Sequence, residues 1–208
     1  MKPGDLKLAY LMVSSPVPNV YIGGLMVTDT RGLPLEFRYT EPIQPSKIQQ
    51  VLYGQVLSAY IKREVVLETL LKNIESKFKC LLVEDEQMLD YSTKGHAIVR
   101  LVATKSAPLG PVGKTQDMAP GELLLQVNPE GSPVRVYLGK AKAPVTPDDP
   151  VLSNPVGANT DSGTDLIAML LEAGKTMDVT EPLRRIEKAL EIICQEEGIT
   201  TSNPATAR

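Results

Sequence analysis

Apolar residues crowd most densely between Val20 and Glu75. Tyr21-Ile22-Gly23-Gly24-Leu25-Met26-Val27-Thr28 is a nearly continuous apolar run, the pattern of a strand covered on both faces. The Gly23-Gly24 pair inside it points to a bulge or a close backbone approach. Asp29-Thr30-Arg31-Gly32 supplies turn chemistry, with an Asp that bonds its own backbone and a Gly that tolerates positive φ. In the next run Leu35, Phe37 and Tyr39 share one face while Glu36 and Arg38 share the other, the period of a half-buried strand. Pro34, which lacks a donor, belongs at a strand start or an outer edge. These two strands predict a hairpin.

Pro42 and Pro45 break the sheet, and Pro45 suits the first turn of a helix. Ile48, Val51 and Leu52 then recur at helical spacing, and Gly54 marks a kink or a join. Leu57, Tyr60, Ile61, Leu67, Leu70, Leu71 and Ile74 extend the apolar stripe, with Lys62, Arg63, Glu64, Glu68 and Lys72 on the wet side. A helix of this length needs a sheet or a partner to cover its stripe.

Further strands are expected over Leu6 to Val13, Phe78 to Val83 and His96 to Thr104, and a second hairpin over Glu122 to Val127 and Pro133 to Leu138. Ser106 to Gly121 reads as a Pro/Gly-rich excursion. From Gly139 to Thr164 prolines and small polar residues predict a flexible linker. A short apolar helix follows from Leu166, and Thr180 caps a last helix with Pro182 in its first turn. Leu183, Ile186, Leu190 and Ile193 are spaced three, four and three apart, a narrow seam suited to one partner surface. The predicted fold is therefore α+β, a mainly antiparallel sheet packed by one long helix, then a Pro-rich linker and a C-terminal helical pair. The expected divisions are residues 1–139 as the α+β domain, 140–164 as linker, 165–199 as helical arm and 200–208 as a disordered polar tail.

Composition narrows the function classes. The 208 residues carry a net charge of −3 with acids and bases mixed along the chain, which argues against a nucleic-acid footprint. Trp is absent and Phe occurs twice, so an aromatic stacking platform for single strands is not expected. Cys80 and Cys194 fall in apolar patterns, which predicts reduced core thiols in a cytoplasmic protein and no zinc site. The apolar run from Leu8 to Val13 is too short to span a membrane.

Candidate chemistry is sparse. Gly113-Lys114-Thr115 resembles the end of a phosphate-binding loop, but Pro108 stands where the first glycine is needed, and Pro120 follows closely where a helix is required. Glu84, Asp85, Glu86 and Asp90 could hold a hard cation through oxygen, although they lack the spacing of a calcium loop. Asp29 with Glu36-x-Arg38 resembles the acid and E-x-K of certain metal-dependent nucleases, with an Arg that cannot lose its proton in place of Lys. A charge pair on the wet face of the strand explains the same residues. His96 is the only histidine and starts a strand. Arg31, Arg38, Tyr39 and Tyr53 combine the residue types that anchor interfaces, and partial burial of the two tyrosines explains them equally well. The hairpin-then-helix opening resembles roadblock and longin-type scaffolds, which are partner-binding modules.

These features together predict a non-catalytic interaction or accessory subunit without a cofactor or metal. It would bind another protein, or a second copy, through Leu183, Ile186, Leu190 and Ile193, with Arg31, Arg38, Tyr39 and Tyr53 as a second surface. Direct nucleic-acid contact is not expected. A metal-dependent hydrolase or nuclease using the acidic cluster, and a nucleotide or small-molecule sensor built on the loop around Lys114, are the alternatives.

Overall fold

The computed structural model describes residues 6–89, 97–138 and 160–199, with the side chains of 160–164 left aside. The first apolar runs form a meander of β1 (Leu8–Ser14), β2 (Ile22–Thr28) and β3 (Pro34–Tyr39), each antiparallel to the one before. β4 (Cys80–Val83) lies beside β1 and β5 (Ala97–Ala103) beside β4, and both of these ladders are parallel. The sheet continues antiparallel through β8 (Val134–Leu138), β7 (Glu122–Leu125) and β6 (Thr115–Ala119). Its order is β3-β2-β1-β4-β5-β8-β7-β6. The sheet is thus mixed, not mainly antiparallel. The parallel strands sit at its centre, where burial on both faces favours continuous apolar runs such as Cys80-Leu81-Leu82-Val83.

One long helix does not form. Ser46 caps α1 (Lys47–Tyr53) by accepting from the Gln49 amide, while the Gln49 side chain accepts from the Ser46 amide. Gly54, at φ +51°, ends that helix. A 3-10 turn (Gly54–Val56), α2 (Leu57–Tyr60), a π-helical stretch (Ile61–Leu67) and α3 (Glu68–Asn73) follow. Only the later part of this segment covers the sheet: Leu57, Ile61, Val66, Leu67 and Leu70 pack with Ala9, Leu11, Leu25, Val27, Leu81, Val83 and Ile98.

The opposite face is covered by α4 (Thr160–Gly174) and α5 (Glu181–Glu196). Leu166, Met169, Leu170, Leu183, Ile186, Leu190 and Cys194 share one core with Leu8, Tyr10, Ile22, Met26, Leu82, Val99, Leu125 and Val136. The expected separate arm, 165–199, is therefore the second layer of the domain expected to end at residue 139. The reason lies in β2. A Cβ at Gly24 would meet Ile186 Cγ2 at 2.9 Å and Leu190 Cδ2 at 3.2 Å, so glycine lets α5 lie close. On the other face a Cβ at Gly23 would overlap Val66 Cγ1. The paired glycines admit a helix on each side of one strand. Residues 139–159 of the expected linker and the expected tail 200–208 lie outside the described residues, while 160–164 open α4.

Candidate functional site

In open sheets with parallel strands, ligands gather at the carboxyl ends where the strand order reverses. Here β1 continues to β2 on one side and meets β4 on the other, so that point lies between the ends of β1 and β4. Leu11, Met12, Val13, Val83, Asp85 and Met88 line a depression there of about 10 Å³, near the room one water requires.

Charged side chains surround it. Asp85 accepts from the Gln87 amide at 2.9 Å, which caps the 3-10 turn Glu86–Met88, and pairs with Lys62 Nζ at 2.7 Å. Lys62 also donates to the Gln87 side chain at 3.2 Å. Arg63 Nε donates to the Gln87 carbonyl at 2.7 Å, and its second nitrogen donates to the same oxygen. Lys62 and Arg63 both lie in the π-helical stretch, a distortion that is common at functional sites. On β5 Arg100 donates to the Glu84 carbonyl at 2.7 Å and pairs with Glu86 at 3.3 Å. Its guanidinium lies 4.8 Å from the centre of the Tyr137 ring. Arg135, two residues along β8, reaches Glu122 at 3.4 Å and the Tyr137 hydroxyl at 3.5 Å. The carboxyl end of β4 and the neighbouring positions of β5 and β8 thus carry cations, an aromatic ring and carboxylates in one connected cluster.

This cluster was readable only in part. Glu84, Asp85 and Glu86 stand out as a run. Lys62 and Arg63 read as a solvated helix side, and Arg100, Arg135 and Tyr137 were missed. Their signal is a charged or polar residue alternating with buried apolar ones on strands, as in Val99-Arg100-Leu101 and Val134-Arg135-Val136.

The donor set does not make a closed metal centre. No group of three His, Cys, Asp or Glu side chains among the described residues could hold an ion. Asp85 and Glu86 are engaged by Lys62 and Arg100. β1 brings no carboxylate, and its Tyr10 is fully buried, with its hydroxyl pushed up by that burial. Asp90 and His96 lie outside the described residues.

The other expected sites resolve into architecture. Asp29 accepts from the Arg31 and Leu33 amides, both at 2.9 Å, and pairs with Arg31 at 2.8 Å, which closes the hairpin turn. Glu36 accepts from the Glu75 and Ser76 amides at 3.1 and 2.8 Å and pairs with Arg38 at 3.0 Å. Partial burial raises its carboxyl, but these donors outweigh it and hold the group at about 2. Glu36 therefore ties the chain just after α3 to the edge strand. Lys114 sits in a loop fixed by the fully buried Gln126, whose side-chain oxygen accepts from the Leu109 amide at 2.7 Å. Its nitrogen donates to the Asn128 and Gly131 carbonyls. Strand β6 follows at Thr115, so no helix N-terminus faces a phosphate and the sensor expectation loses its basis.

Leu183, Ile186 and Leu190 are 3%, 1% and 1% exposed, and Ile193 packs at the margin of the same core. The seam expected to bind a partner is covered by the chain's own sheet. Arg31, Arg38 and Tyr39 remain on the outer hairpin, with Tyr39 6.0 Å from the Phe37 ring. Tyr53 lies 4.7 Å from the Tyr60 ring on the other side of the 3-10 turn. The cysteines are both free and buried, and burial pushes the Cys80 thiol up to about 12. No helix among the described residues is long and apolar enough to cross a membrane.

The eight-stranded mixed sheet with helices on both faces is an arrangement also found in solved structures of other proteins. The chain is similar to Endonuclease V from Streptomyces avermitilis, with a TM-score of 0.56 at 11% identity, over 94% of this chain and 85% of that one. It is also similar to Ciona intestinalis Endonuclease V in complex with a 23mer DNA containing an inosine followed by a ribo-adenosine, with a TM-score of 0.51 at 8% identity, over 92% and 86% of the two chains. No protein-family model and no curated protein sequence matches. These likenesses overturn the expected non-catalytic interaction subunit, and with it the expectation that direct nucleic-acid contact is unlikely. That reading took the α5 seam as free, and the alternative of a nuclease using the acidic cluster agrees better with these likenesses.

Proposed function

We propose that the protein acts directly on nucleic acid, through the side chains gathered at the carboxyl end of β4 and the neighbouring positions of β5 and β8. The observation that carries this reading is the likeness over nearly the whole chain to Endonuclease V structures, one of them holding DNA. Local chemistry supports it. Lys62, Arg63, Arg100 and Arg135 suit phosphate oxygens, and Tyr137 adds a ring that a base could stack against. Each of these cations already has an oxygen partner, so a phosphate must compete for it. Binding is accordingly expected to weaken steeply with salt. The net negative charge is spread over the chain and does not remove this local cluster.

Hydrolysis of the phosphodiester backbone is the second reading. The position of Glu84 and Asp85, directly after β4 and beside the end of β1, favours it. The described residues do not by themselves form a metal centre. A cytoplasmic setting fits the two unpaired thiols.

Fluorescence anisotropy with labelled single-stranded and duplex DNA and RNA tests the first reading. Binding should fall with rising salt, and Arg63→Ala with Arg135→Ala should weaken it about tenfold or more. No binding to any of the four probes at low salt sinks the proposal. The same probes incubated with magnesium or manganese read hydrolysis: cleavage that disappears in Asp85→Asn supports the second reading, and intact probes remove it.

A further inference from the structure

We propose that the turn after β4 is an internal latch: its oxygens occupy the phosphate-binding cations, and nucleic acid binds by displacing it. This latch presupposes the nucleic-acid reading above and regulates the same site. Lys62 Nζ lies 2.7 Å from Asp85 Oδ2 and 3.2 Å from Gln87 Oε1. Arg63 donates through two nitrogens to the Gln87 carbonyl. Arg100 donates to the Glu84 carbonyl at 2.7 Å and to Glu86 Oε2 at 3.3 Å. Three cations thus converge on the oxygens of four consecutive residues, Glu84 to Gln87. An oxygen held by an ammonium or a guanidinium stands where a phosphate oxygen would. With the turn in place, the carboxylates of Glu84, Asp85 and Glu86 also repel an incoming phosphate.

The cations stand on the fixed side. Lys62 and Arg63 belong to the π-helical stretch, whose Ile61, Val66 and Leu67 are buried against the sheet. Arg100 lies within β5, and the Tyr137 ring supports its guanidinium when the turn leaves. The turn is the movable side. From Glu84 to Met88 only Met88 is buried, and it serves as the pivot. Glu86 is 78% exposed, so solvent screens its pair with Arg100. Within the turn, the Gln87 amide donates to the Asp85 carboxylate, the Met88 amide to the Asp85 carbonyl and the Leu89 amide to the Glu86 carbonyl. A single helical turn does not hold by itself, so these bonds depend on the cations that grip it. Losing the grip opens the turn and releases Lys62, Arg63 and Arg100 together. Arg135 is held by Glu122 instead and lies outside the latch. Opening also parts the Asp85 carboxylate from its ammonium partner, which frees it for the hydrolytic role of the second reading.

Anisotropy titrations of the full chain with the labelled DNA and RNA probes test the latch. Asp85→Asn keeps an acceptor for the Gln87 amide but loses the charge that Lys62 grips, and should bind about three- to tenfold tighter than the parent. Glu86→Gln, at an exposed side chain, should bind tighter by a smaller factor, and carries this arm alone if Asp85→Asn fails to fold. Glu187→Gln removes one charge from an exposed position of α5, on the opposite side of the sheet, and should stay within about twofold of the parent. Hydrogen exchange of the Met88 and Leu89 amides is a readout that charge alone does not move. Saturation with the tightest-binding probe should speed it at least about fivefold, because the turn opens. Binding by Asp85→Asn that is no tighter than that of the parent or of Glu187→Gln overturns the latch. Exchange at the two amides that is unchanged or slower under saturation overturns it as well. Either result leaves the nucleic-acid reading standing, whereas absence of binding by the parent and the variants alike removes both.

Discussion

α1 and α5 both carry apolar residues at spacings of three and four. On α5, Leu183, Ile186 and Leu190 vanish into the sheet, and Ile193 packs at its margin. On α1, Ile48, Val51 and Leu52 stand almost fully in water. The spacing that reveals a helical face says nothing of what covers it. The covering is decided by the opposing surface. α5 meets Gly24 on β2, where the missing side chain makes room, whereas α1 buries no residue and is parted by Gly54, at φ +51°, from the segment that covers the sheet.

The largest effect should come from truncating the two helices at matched positions. Leu190→Ala is expected to destabilise the fold by about 2–5 kcal/mol, while Leu52→Ala should stay within about 0.5 kcal/mol. Urea unfolding of both variants, measured at dilute protein, reads this directly. Equal losses would erase the distinction between a covered and an open face.

Gly24→Val sharpens the comparison from the other side. The added carbons press on Ile186, Phe37 and Leu190, and the expected loss is about 1–3 kcal/mol in the same urea experiment. A variant as stable as the parent would mean that α5 does not lie this close to β2.

The smallest effect concerns Glu36, which holds the chain just after α3 to the edge strand. Its carboxyl, held at about 2 in the folded chain, ionises more readily there than in the unfolded chain, where the ordinary value is 4.5. Its contribution is therefore complete above the unfolded value and disappears as pH falls through the folded one. The melting temperature of the parent should exceed that of Glu36→Gln above pH 5, and the gap should close between about pH 4.5 and 2. A gap that persists at the acid end would assign the effect to packing.

Much of the sheet was legible in the sequence. The runs at Leu8, Ile22 and Cys80, and the alternation at Val134, each became a strand, and Gly23-Gly24 proved to be the close approach that two glycines in a strand suggest. Strand order was not legible. Parallel pairing of β1, β4 and β5 depends on crossovers over which local pattern has no hold. β6 was missed because Thr115-Gln116-Asp117-Met118-Ala119 is exposed throughout and shows no apolar alternation. The acidic part of the candidate site could be seen as a run, but its cations come from a π-helical stretch and two distant strands. Only the fold brings them together. The α5 seam was visible and assigned to the wrong surface, since periodicity cannot distinguish a foreign groove from the chain's own sheet.

The layering of α5 over β1 and β2 has a consequence for synthesis. The ribosome delivers all eight strands before it delivers α5. Until then the face of the meander carrying Leu8, Tyr10, Ile22 and Met26 lacks its cover, while the face under α2 and α3 can close early. A nascent chain halted before Glu181 would present that uncovered face to chaperones and to other nascent chains. Completion of the last helix is thus the step that turns a sticky half-layered intermediate into a sealed molecule.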